Sequence, residues 1–208
     1  MFNKKEILII VPTIIILAFI VALTDLKSLF LISLAYVSII IILNIFTKKA
    51  VGYFLDTDVE IRAWEMKRYW FRKHDYFKRA IPIGLFLPII LKVISVGFIN
   101  WTAALSYEVK AKIYRAAKRH GLYAFSDISE AQIGVIAAVA LGVNLIAALI
   151  GYFAGFPDFS KLSLAFVFFS LIPFSDLDGN RIFFGSVALW IFMLLITLIF
   201  IIGALIIF

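Results

Sequence analysis

Cysteine is absent from these 208 residues, histidine occurs twice, and only 16% of positions are charged. The first absence excludes disulfides and thiolate metal sites. The scarcity of charge, set beside 64% hydrophobic residues, excludes an ordinary soluble domain, which runs nearer 45–50% apolar and about 25% charged. What fills the chain instead is long apolar runs. Val187–Phe208 carries no charge in 22 positions, and about 20 apolar residues are what a helix needs to cross roughly 30 Å of hydrocarbon. The expected class is an all-α polytopic membrane protein. In that setting a net charge of +7 points to loops facing anionic lipid headgroups rather than to nucleic acid.

Three regions are expected. Residues 1–46 read as an N-terminal transmembrane hairpin: Ile7–Leu23 and Ser28–Phe46 flank the polar turn Thr24–Lys27, and no small-residue cleavage site follows the first run. Residues 47–80 mix nine Lys/Arg with Trp64, Tyr69, Trp70, Phe71, Tyr76 and Phe77. That mixture suits a basic interfacial linker, with rings at the interface and cations toward phosphate. Residues 81–208 form the membrane core. Within it, Ile81–Trp101 holds Pro82, Gly84, Pro88, Gly97 and, near its middle, Lys92. A broken or re-entrant segment near 81–107 places seventeen Lys/Arg on one side against two on the other. The preferred orientation therefore has the N-terminus and basic loops cytoplasmic. A short β element is expected near Phe98–Val109, where Trp101, Tyr107 and Val109 lean toward strand. Gly134, Ala138 and Gly142, four apart, suggest close helix packing.

The chemistry-bearing stretch is Ser170–Arg181. Pro173 interrupts a helix, Gly179 permits unusual backbone geometry, and Asp178 is a carboxylate where charge is expensive. Leu171-Ile172-Pro173 followed by Leu177-Asp178-Gly179 resembles the NxxPxxxLDG motif of site-2 proteases, zinc metalloproteases that cut within membranes. Gly142-Val143-Asn144 is similar to that family's AGPxxN stretch. The resemblance covers roughly residues 80–190. It implies a site-2-protease-like core, Asp178 as a zinc ligand, and a transmembrane helix of another protein as substrate or partner.

The departures are as informative. Ser170 stands where the motif has Asn, and Val143 where it has Pro. The HExxH motif, whose two His share a helix face and bind zinc around a general-base Glu, is absent. Its expected place is taken by Pro88–Ser95, with Lys92 at the centre. His74 and His120 both lie in basic polar segments and read as solvated. Asp176 and Asp178 are too close in sequence to face each other as an aspartyl dyad, and no apolar run holds a His for a serine mechanism. An Asp178 without metal needs a cation, so a Lys92–Asp178 ion pair is expected. The leading reading is a non-catalytic relative without a cofactor that binds a transmembrane segment, with Asp178, Gly179, Pro173, Ser170, Lys92 and Asn144 as the relic site. The alternatives are an active zinc protease with atypical ligands, among them Asp178 and His120, and a structural or transport-related membrane subunit.

Overall fold

The computed structural model describes residues 3–24, 26–68, 76–98, 100–112 and 128–207. His74 and His120 lie outside them. Among the described residues, three helices are long and apolar enough to cross a membrane: the Phe30–Phe54 part of α2 (Leu26–Phe54), α4 (Glu130–Phe153) and α7 (Val187–Ile207). Helix α1 (Lys4–Val21) precedes them and packs on α2. The boundary expected at residue 46 does not exist as a break. Helix α2 runs through Thr47-Lys48-Lys49 to Phe54, because both lysines are straight-chain helix formers that find partners on neighbouring elements.

Beyond α2 the chain turns into strands. β1 (Thr57–Ala63) pairs antiparallel with β4 (Leu105–Ala111), with Ile61 opposite Tyr107. The expected β element is therefore present, but it begins after Trp101 and takes its partner from the stretch read as a linker. β2 (Met66–Arg68) and β3 (Tyr76–Ile81) form a second antiparallel pair. Strand β1 alternates as its period of two demands: Thr57, Val59 and Ile61 are buried, while Asp58 and Arg62 are exposed. On the outer face Glu60 lies directly across from Glu108. Arg62, paired with Glu108, and Lys110, 2.7 Å from Glu60, compensate the two like charges.

Between β3 and β4 in the chain comes α3 (Ile83–Ile94), twelve residues and thus about 18 Å long, too short for a full crossing. After it the chain reverses through Val96 and Gly97, both at positive φ (51° and 90°). Ala104 brings it back beside Gly84 at the start of α3. The two legs meet at their base. The Gly84 N–H donates to the Trp64 carbonyl, and the Trp64 N–H donates to the Ala104 carbonyl. A Cβ on Gly84 would stand 2.1 Å from the Ala104 oxygen, so only glycine lets the legs close. The tip carries Val96 and Phe98, 85% and 88% exposed.

The C-terminal part is an antiparallel stack. Ser129 caps α4 through the Gln132 N–H, and α5 (Pro157–Ser170) folds back on it. A loop over 171–177 leads to α6 (Asp178–Gly185). Gly134 of α4 is in close approach to α6, where its Cβ would meet the Arg181 oxygen at 3.0 Å. Gly142, expected in the same packing stripe, has nothing within 4 Å. The stripe therefore serves only at its first glycine.

Candidate functional site: a buried charge pair

Helices α2, α5 and α6 and strand β4 meet at a common point. Helix α5 stops at Ser170 because Pro173 follows. The loop that replaces it turns sharply enough to start α6 at Asp178, in the first turn, where a carboxylate suits the helix dipole. Gly179 is dictated by space: a Cβ there would lie 2.1 Å from the Leu171 carbonyl oxygen. That same oxygen accepts a hydrogen bond from Trp190 Nε1 at 2.9 Å, which fastens α7 to the loop. Pro173 itself is exposed and shapes the loop without facing the site.

Asp178 is 2% exposed. Its partner is Lys48 of α2, whose Nζ donates to both carboxylate oxygens at 2.8 Å. The ammonium also stands 4.7 Å from the centre of the Tyr107 ring, and Tyr107 is held by its hydroxyl donating to the Ile133 carbonyl at 2.8 Å. The pair thus has cation–π support besides its own attraction.

The pair lies in a small enclosed chamber of about 10 Å³, roughly the room one water needs. Asn44, Ile45 and Lys48 line it from α2, Thr102 and Ser106 from the return leg and β4, Phe166 and Ser170 from α5, and Asp178 from α6. Asn44 and Lys48 are one helical turn apart and share a face. Two buried groups in the lining, Asn44 Nδ2 and Thr102 Oγ1, have no hydrogen-bond partner.

The expected residues separate into two sets. Asp178 and Ser170 come together at the chamber, Gly179 packs behind it against Leu171, and Asn144 does not line it. Asn144 is fully buried in α4, its side-chain amide without a partner and its carbonyl accepting from Ser163 Oγ at 3.0 Å. Lys92 is a correction. It is buried, but its Nζ donates to the Gly97 carbonyl at 2.9 Å and to Asn100 Oδ1 at 2.6 Å. It closes the turn of its own hairpin, because the carbonyls freed by the chain reversal lie within reach of its stem. Asp178 takes its cation from α2 instead. Asn44 and Lys48 are the residues sequence reasoning missed. The available signal is Asn44 alone, the polar residue in a run otherwise apolar from Ile39 to Phe46.

No family model, no curated protein and no solved structure matches the chain.

Proposed function

We propose that this is an integral membrane protein of site-2-protease type in which an ion pair stands in place of the metal. In this reading it works without cutting, by holding a transmembrane segment of another protein. One observation carries the proposal. Residues 44, 45 and 48 of α2 line the Asp178 chamber, with the spacing that His, Glu and His have in HExxH. Here those positions are Asn, Ile and Lys.

That donor set does not fit zinc. A catalytic site needs three neutral or anionic protein ligands and an open fourth position. Lys48 supplies a cation that already engages both Asp178 oxygens, and Ile45 offers no base. No hydrolytic step follows from such a site. The reversal around Val96-Gly97, closed at its base by Gly84 and Ala104, supports a hairpin that enters and returns on one side. The charge asymmetry supports a cytoplasmic N-terminus and basic loops.

Metal analysis of the purified protein tests the proposal. The wild type is expected to carry far less than one zinc per chain. Asn44→His/Lys48→His is expected to gain about one, and to lose it again when Asp178→Ala is added. Stoichiometric zinc in the wild type, lost in Asp178→Ala alone, would restore the protease reading.

A further inference from the structure

Buried polar atoms in folded proteins are nearly always paired, so one that is not asks for a partner. Asn44 Nδ2 of α2 and Thr102 Oγ1, just ahead of β4, are two such atoms, and both residues line the Asp178 chamber. Each residue is 3% exposed, so neither is served by bulk solvent. Size, charge and hydrogen bonding together specify what completes them. The chamber measures about 10 Å³, enough for one molecule of the size of water. Its two charged groups, Lys48 and Asp178, cancel each other at 2.8 Å, so an added ion would be a buried charge without a counter-ion. An amide nitrogen only donates, so the molecule must accept from Asn44, whereas the Thr102 hydroxyl both donates and accepts. Asp178 takes two of the three hydrogens of the Lys48 ammonium, which leaves one more donor in the lining.

We infer that the chamber is a binding site for a single water, which accepts from Asn44 Nδ2 and bonds Thr102 Oγ1. The inference stands on the chamber and not on the proposed function. It gives Asn44 and Thr102 a role that the ion pair alone does not. A buried pair repays its desolvation only where further hydrogen bonds serve its surroundings, and a water beside Lys48 supplies them. The same molecule ties α2 to the segment leading from the hairpin into β4, and α2 is already tied to α6 through Lys48 and Asp178. Three parts of the chain distant in sequence thereby share one polar network, which is cooperative only if every member is satisfied.

A crystal structure of the full-length protein in a lipid phase, at a resolution that shows ordered water, tests the site. One peak is expected in the chamber, within about 2.7–3.2 Å of both Asn44 Nδ2 and Thr102 Oγ1. Unfolding midpoints in mixed micelles give a second reading. Asn44→Leu fills the chamber and strands the Thr102 hydroxyl, and is expected to lower the midpoint by about 3–6 °C. Thr102→Val removes the stranded group, so adding it to Asn44→Leu is expected to recover part of that loss. Asn144→Leu, which alters an equally buried amide outside the chamber, is expected to be additive with Thr102→Val.

An empty chamber, or Asn44 donating directly to Thr102, would overturn the water site and leave the proposed function standing. Additive losses in Asn44→Leu/Thr102→Val would overturn it as well. A peak held at about 2.0–2.6 Å, the range of cation–oxygen bonds, would make the chamber an ion site instead. Were that ion zinc bound to Asp178, the proposed function would fall with it.

Discussion

Two lysines of this chain are equally buried, each 3% exposed, and they are satisfied in opposite ways. Lys92 spends its donors on neutral oxygens five and eight residues ahead of it. Lys48 reaches a carboxylate 130 residues away. The first is a local closure in which the ammonium acts as a strong donor at a chain reversal. The second is a long-range neutralisation that holds together α2 and α6, elements from opposite ends of the chain. The difference lies in what is left behind when the lysine goes: two carbonyl-type oxygens in one case, an ionised carboxylate in a closed interior in the other.

Lys48→Met exposes that difference most strongly. Breaking a buried pair from one side leaves an uncompensated charge and costs about 3–5 kcal/mol. Neutralising both sides, in Lys48→Met/Asp178→Asn, is expected to recover at least half of that loss. Unfolding of the three proteins in mixed micelles measures the coupling directly. A double variant as unstable as Lys48→Met alone would mean that the two groups act separately. Lys92→Met is the matched experiment on the other lysine. It leaves only neutral acceptors unsatisfied, so the expected cost is about 1–3 kcal/mol, and an added Asp178→Asn should be additive with it. A loss as large as that of Lys48→Met would erase the distinction.

The same comparison explains what could be read from the sequence. The long helices follow from apolar runs that cannot be satisfied in water, and the interruption at Pro173 with Asp178 behind it follows from local chemistry. So does the presence of a strand near Tyr107. The partner of Asp178 does not. Thr47-Lys48-Lys49 directly abuts an apolar run and reads as the polar flank where a helix meets water. Nothing local separates Lys48, which points at Asp178, from Lys49, whose Nζ lies 2.8 Å from Glu6. Choosing between them needs the helix phase relative to α1, α5 and α6, a tertiary quantity. Lys92 was conspicuous for the converse reason: it stands alone among apolar residues, although its partners are its own hairpin. The pairing of β1 with β4 was hidden likewise, because its two halves are separated by α3.

At the weakest end of the scale is the outer face of that sheet, where charge pairs meet solvent. The hydrogen bond from Lys110 holds the Glu60 carboxyl below its ordinary value of 4.5. Slight burial opposes this, and the charges of Lys110 and Arg62 add to it. A carboxyl lowered in the folded state contributes stability that is fully present above its unfolded pKa and is lost as pH falls through the folded one. The contribution of Glu60 is therefore constant from neutral pH down to its ordinary carboxyl range and fades as pH falls through its lowered pKa. Because Glu60, Arg62 and Lys110 are all partly exposed, its size is that of surface pairs, at most about 1 kcal/mol, and salt reduces it further. Glu60→Gln should differ from the wild type in unfolding midpoint near neutral pH and converge with it in acid, with no change in zinc content. If the gap instead persists in acid, Glu60 acts through packing, and the sheet surface is less distinct from the buried Lys48–Asp178 pair than its exposure implies.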